Sequence, residues 1–507
     1  MQILTREGRL VLAGKHRKAL RRYQYEIEQR RPLIAPGHFD YLGVRPLGRF
    51  QWMPGMQMMG VLITRSSGGG GGGGGDFDGH VPSVTVDTAA EFLTELGSGV
   101  LLAGTILGVE PGAYVGTPAG DVDNTPIFNV GTTGTLGSPI VVVARHMAAY
   151  NAGSPSLLTE LRSSNPFTGS ADPLDPLWTS NNPVIGVVSR NYVNFKGLYF
   201  NMALSPPRPS NGSILLQSSD NCRIEKCHFD QIETSDGDNF SAVFIRDCDN
   251  AYVGNCKAVG GSSPVNQFNH NCAFLITYGS LGTLLEHLEG VNCNQFVFIK
   301  GTVGAGVRNS GTLRLSKLTD ATQAFADFTS IDATAGFDVI QCLGIRCTRG
   351  IVMDNSAASE SGYVRANDST FVDLSGSGSP DSLTAGGLDF ESGTVTTGTE
   401  FKRNIVAWTS SRTNQYAVKY SDTLTPANTD LNDNLYWESG GACQWRQNGT
   451  NYSTLGDWQT ATSKEGSSQE GTPNFINAAA DNYRRSSYAD SRGCYKTGFE
   501  QIGLEAA

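Results

Sequence analysis

Two sets of apolar residues drift through this chain in step, and that shared drift restricts the fold more than any other feature. One set runs Phe195, Ile224, Val253, Leu285, Val307, Val339, Val364 and Phe401, with spacings of 29, 29, 32, 22, 32, 25 and 37 residues. The other runs Leu215, Phe244, Leu275 and Val297, each 9 or 10 residues before its partner in the first set. Val352 before Val364 and Leu388 before Phe401 keep a similar offset, of 12 and 13. Two strands per turn with one connection of variable length produce this behaviour. Strands of a sandwich or a propeller have no reason to keep step, and helical or leucine-rich repeats hold a constant period of roughly 20–47 residues. Three residues beyond the first set lie Leu198, Cys227, Cys256, Leu288, Ser310, Cys342, Asn367 and Asn404. Such side chains stack like on like inside a solenoid, whose coils lie about 4.8 Å apart.

Composition agrees. Glycine is frequent, at 61 of 507 residues, and charged residues are scarce, at 17%, which suits short strands joined by tight turns and not helical bundles. With 39% hydrophobic residues the chain fills a core and is not disordered. None of the ten cysteines forms a C-x-x-C pair. Several recur at the stack position, so they read as small buried hydrophobes and not as a disulfide framework or a zinc site. No apolar run approaches the roughly 18 residues of a membrane span, and the start lacks the apolar segment of a secretory signal. The expectation is a protein made in a cytoplasm with no membrane insertion.

The net charge of −10 is unevenly divided. Residues 1–75 hold 12 Lys/Arg and 4 Asp/Glu, and the remainder 26 and 44, so the two parts suit different partners. A helix is expected over 13–31, with Leu20, Tyr23 and Ile27 on one side, stopped by Pro32. Eight consecutive glycines, Gly68 to Gly75, form a hinge of roughly 16 Å root-mean-square reach. Four regions follow from this: a basic docking module over 1–75, an N-terminal cap and first coils over 76–184, a coil body over 185–430, and a capping region over 431–507. Within the second, Val84-Thr85-Val86 reads as a strand and 87–96 as a capping helix, because an open solenoid end leaves backbone groups unpaired. The aromatic-rich last region reads as loops covering the final coil.

The opening segment resembles a common first-coil pattern of the right-handed parallel β-helix (pectate-lyase-like) family, through Thr105-Ile106, Pro111-Gly112-Ala113-Tyr114, Gly134-Thr135 and Pro139-Ile140. The closing segment resembles that of secreted bacterial members, through Asn434-Leu435-Tyr436, Tyr452, Asp457-Trp458-Gln459, Pro473 and Phe475. The resemblance implies an all-β solenoid over about 84–490, and no particular activity. A basic N-terminal module on a glycine hinge ahead of such a solenoid is similar to the layout of phage tailspikes and tail fibres. That likeness implies a homotrimer, docking onto virion tail or portal-proximal proteins, and a host-surface polysaccharide as ligand.

If the stack position faces inward, the residue after it faces outward, which sets Tyr199, His228, Lys257 and Glu289 in a column on four coils. A neighbouring column holds Lys196, Glu225 and Glu286. A ladder of this kind contains the carboxylates that hydrolysis needs, or the base and charge neutraliser that elimination needs. It is also what a solvated surface ion-pair ladder looks like. Glycan binding is therefore assigned to Tyr199, Glu225, His228, Lys257 and Glu289, and virion docking to Arg17, Lys18, Arg21, Arg22 and Tyr23. Asp230, Glu233, Asp236 and Asp238 lack the glycine and terminal glutamate of a calcium loop. Lys300, Arg308, Arg314 and Lys317 do not reproduce the lyase context, so no catalytic residue is assigned and no metal or cofactor is expected. Three readings remain: a virion host-attachment protein, an extracellular polysaccharide lyase or hydrolase, and a purely structural virion fibre or adaptor without glycan activity.

Overall fold

A computed structural model of the chain describes residues 4–6, 9–11 and most of 77–485, setting aside 98, 100, 117–125, 146–158, 164–182, 202–212, 231, 233–240, 261–271, 301–307, 330, 333, 355–361, 375–384, 393–396, 411–414 and 421–427. Two units are distinguished, 1–62 and 63–507. In the first, Leu4–Arg6 pairs antiparallel with Arg9–Val11. The helix expected over 13–31, the docking residues Arg17, Lys18, Arg21, Arg22 and Tyr23, and the Gly68–Gly75 hinge lie outside the described residues.

The second unit is a parallel β-helix. Each full coil places strands on three faces. The first face is a sheet of twelve parallel strands, from Val84–Val86 to Thr429–Asn432. The second face runs from Ala113–Gly116 to Gln469–Glu470, and the third from Phe128–Asn129 to Trp445–Gln447. These two are joined in one sheet where Lys317–Phe328 and Leu343–Asp354 run through both.

Strand pairing stacks Phe195, Ile224, Val253, Leu285, Leu313, Val339, Ala366, Phe401 and Leu431 on successive coils of the first face. Leu313 thus holds the place expected for Val307, which is outside the described residues, and Ala366 that expected for Val364. Val364 faces inward two residues earlier, opposite Phe337; in a strand of period two, apolar spacing alone does not separate such neighbours. The second seam is Leu215, Phe244, Leu275 and Phe298, with Val297 one residue off. It lies on the third face and outside the main core: Val243, Ile245, Phe274 and Ile276 fill the interior, while Leu215, Phe244, Leu275 and Phe298 form a separate buried cluster. Strands such as Ser241–Arg246 and Cys272–Thr277 are buried along nearly their whole length, so hydrophobicity does not mark the inner side.

Between the first and second faces a residue in the left-handed region turns each coil: Gly197, Lys226, Asn255, His287, Leu315, Gln341, Asp368, Arg403 and Asp433, with φ between 50° and 70°. The next residue points inward and completes a ladder. The amide of Cys227 donates to Cys256 Sγ (3.4 Å), Leu288 to Ser316 Oγ (3.1 Å), Cys342 to Ser369 Oγ (3.1 Å), Ser369 to Asn404 Oδ1 (2.9 Å), Asn404 to Asn434 Oδ1 (2.9 Å) and Asn434 to Ser468 Oγ (2.8 Å). Ser316 and Ser369 occupy the positions expected for Ser310 and Asn367, following the shift of the first seam. Each bend leaves an amide without a strand partner, and a small polar side chain on the next coil supplies the acceptor at a net gain of about 1 kcal/mol. The nine described cysteines are buried thiols and none is in a disulfide.

Helix Ala89–Gly97 closes the N-terminal end, with Phe92 edge-on to Tyr114 and Phe128. A short segment then straps the outside of the first face. Phe77 packs with Ile106, Val141 and Val143 under the Arg145 guanidinium, and Asp78 bridges Lys226 (2.7 Å) and Lys196 (3.4 Å). At the other end the region expected to be loops contains helix Leu455–Thr462, capped by Thr454, with Trp458 buried against Tyr420 and Tyr452. A hairpin of Phe475–Asn477 and Asn482–Arg485 follows.

Candidate functional site

The expected column exists. Tyr199, His228, Lys257 and Glu289 pair in register on the second face, and Lys317 continues it. Tyr199 donates to Asp230 (3.1 Å) and meets the His228 ring edge-on, and Lys257 pairs with Glu289 (3.2 Å). Tyr199 and His228 are each only 8% exposed. Burial, helped by Lys257, pushes the His228 imidazole down to about 4, so it is neutral at neutral pH. Glu225 does not belong to this face. The left-handed bend at Lys226 puts it on the first face, beside Lys196 (3.6 Å) and Arg223 (3.3 Å). The column Lys196, Glu225, Gly254, Glu286, Arg314 continues there, and its groups satisfy one another: Arg223 lies over the Tyr252 ring, Tyr252 donates to Glu286 (2.8 Å), and Arg314 grips Glu286.

Lower on the second face the outward residues Leu343, Ile345, Val372, Ile405, Ala407 and Leu435 are apolar and form a cluster with Tyr483 of the C-terminal hairpin. Arg346, paired with Asp320 of the strand Lys317–Phe328, holds that hairpin through Asp481. Of the acidic loop, Asp230 is the acceptor for Tyr199, while Glu233, Asp236 and Asp238 lie outside the described residues. Among the described residues no three His, Cys, Asp or Glu side chains are grouped to hold a metal ion.

The third face carries a second constellation that sequence reasoning missed. Below the apolar seam its outward column becomes Asp327, Val352, Asp389, Lys419 and Arg446. Beside it run Gln295, Ala324, Arg349, Gly386 and Tyr416. Arg349 is joined to Glu391 and lies 3.6 Å from Asp389, whose other oxygen is 3.3 Å from Lys419. Gln295 Nε2 donates to Gln323 Oε1 (2.7 Å) and Asp327 Oδ2 (3.1 Å). Asp389 is 0% and Arg349 4% exposed. Burial works against the guanidinium charge, but Glu391, Asp389 and Asp327 outweigh it and hold Arg349 above its ordinary value. Gln295 Oε1, Gln415 Oε1 and Arg349 Nε nevertheless lack a hydrogen-bond partner although buried. A signal for this site does exist in the sequence: Arg349, Asp389 and Lys419 each stand beside apolar or glycine residues, in Arg349-Gly350-Ile351-Val352, Gly387-Leu388-Asp389-Phe390 and Ala417-Val418-Lys419-Tyr420.

This register defines the chain as a parallel β-helix protein. No family model and no curated protein matches the sequence. Among solved structures it is similar to pectate lyase Pel9A, at 13% identity over 66% of this chain and 72% of that one, with a TM-score of 0.42. It is also similar to the polygalacturonase from Erwinia carotovora ssp. carotovora, at 11% identity over 74% and 96% (TM-score 0.44), and to a rhamnogalacturonan lyase, at 11% over 82% and 100% (TM-score 0.44).

Proposed function

We propose that this chain is a phage virion protein, a tail spike or tail fibre, whose β-helix binds a host-surface polysaccharide. The observation that carries the binding is the third-face cluster: a charged, nearly dry set of side chains on consecutive coils, with hydrogen-bonding atoms left unfilled. Such atoms cost free energy unless a ligand or water completes them, and strands stacked about 4.8 Å apart present a linear glycan with a repeating surface. The second-face column of Tyr199, His228, Lys257 and Glu289 is proposed as an accessory contact line. The virion role is supported by the basic 1–75 segment, with Arg17, Lys18, Arg21, Arg22 and Tyr23 proposed to meet tail or portal-proximal proteins, and by the glycine run ahead of the strap at Phe77. A homotrimer belongs to the same proposal. Mass spectrometry of purified particles together with a glycan array tests it: presence in the particle and retention of at least one polysaccharide are expected, and absence of either ends that half of the reading.

One observation favours an enzymatic alternative. Asp327 and Asp389 share a column two coils apart, a backbone separation of about 10 Å, near the wide limit for a carboxylate pair that admits water in inverting hydrolysis. Release of reducing ends by the wild type, lost in Asp389→Asn, is the result this alternative requires.

A further inference from the structure

Resting on the third face as the polysaccharide site, we infer that the sugar units it takes are neutral or amino sugars and not uronates. Two cations, Arg349 and Lys419, stand among three carboxylates, Asp327, Asp389 and Glu391. Both cations are engaged: Arg349 by Glu391 and Asp389, Lys419 by Asp389. Arg446, the next cation along the column, lies against Tyr416, its guanidinium 5.8 Å from the ring centre and Nη1 3.4 Å from the hydroxyl. A uronate carboxylate needs an available cation, best a guanidinium fork offering two parallel donors. Here Arg349 meets both Glu391 and Asp389 through one atom, Nη1, which closes its end-on fork, and Nε is buried without a partner.

The unfilled atoms point the same way. Gln295 Oε1 and Gln415 Oε1 accept only, and Arg349 Nε donates. A set dominated by acceptors asks for donors. A sugar hydroxyl donates one hydrogen and accepts in return, so it serves both kinds, and an ammonium group on an amino sugar donates three and relieves the excess of negative charge. A uronate would bring two more acceptors and a fourth negative charge into a site almost closed to water, where like charges are weakly screened.

Calorimetric titration of the full chain tests this with matched oligosaccharides of three kinds: a neutral glucan or galactan, a partly deacetylated chitin, and an oligogalacturonate. The neutral or amino oligomer is expected to bind at least about tenfold more tightly than the uronate. Gln295→Leu is expected to weaken it about tenfold, with Gln415→Leu, nearer the edge, as the second variant should the first disturb folding. Uronate binding equal to or tighter than the others overturns this inference and leaves the polysaccharide reading intact. Binding that neither variant alters overturns the placement on the third face. No binding to any oligomer or to the parent polymers overturns the polysaccharide reading itself, with water alone completing the cluster.

Discussion

At the far end of the interior ladder the carboxylate of Glu465 closes a row of amides that includes Asn404 and Asn434. It is fully buried, accepts from Tyr436 Oη (2.5 Å) and Asn434 Nδ2 (3.1 Å), and is also joined to Ser468. Burial pushes it up to about 7. A carboxyl raised above its ordinary value binds its proton more tightly in the folded chain. Its contribution is therefore full below about pH 4.5 and is lost as pH rises through about 7, an effect of up to about 3 kcal/mol. Melting temperature is expected to fall between pH 5 and 8, and Glu465→Gln to remove that part of the slope. His228 works in the opposite sense: lowered by burial, it stabilises above its unfolded value near 6.5 and costs stability as pH falls toward 4. Asn434→Ala strips the acceptor from the Asn404 amide, and urea denaturation is expected to show a loss of about 2–3 kcal/mol. Positions such as Cys227, Cys256 and Asn404 were legible from sequence because identical environments recur coil after coil. Ser316 and Ser369 were not, because their neighbours Ser310 and Asn367 offer the same chemistry a few residues away.

Strands and hairpins separate what repeats from what does not. In the strand Tyr252–Gly254 the tyrosine ring lies over the glycine, where a Cβ would come within 2.2 Å of the hydroxyl. Gly254→Ala is expected to displace Tyr252 from Glu286 and cost about 1–3 kcal/mol, and the loss should shrink in a Tyr252→Ala background, as a double-mutant cycle would record. The C-terminal hairpin depends on Tyr483, 1% exposed in its apolar cluster. The Arg346–Asp481 pair is part exposed and worth under about 1 kcal/mol. Limited proteolysis of Tyr483→Ala is expected to cut within 471–485 while the coils stay intact, and Asp481→Ala to change little. Neither the hairpin nor helix Leu455–Thr462 was read from sequence: each occurs once, so no periodicity announces it. The third-face site was hidden for a related reason. Its charges sit singly on separate coils, spaced by connections of unequal length, and only the register brings Asp327, Arg349, Asp389 and Lys419 together.

For the molecule as a whole, coils touch mainly their neighbours, so stability accumulates along the axis. No helix among the described residues is long and apolar enough to cross a membrane. The class of architecture was legible because an entire solenoid repeats one solution.

The strap at Phe77 and Asp78 has a mechanical consequence. Through Ile106, Val141, Lys196 and Lys226 it grips four successive coils from the side. A pull arriving along the glycine run is thus met as shear spread over several rungs, and the terminal coil is spared the peeling that would unzip it rung by rung. Optical-trap extension should find Asp78→Asn yielding at lower force than the wild type.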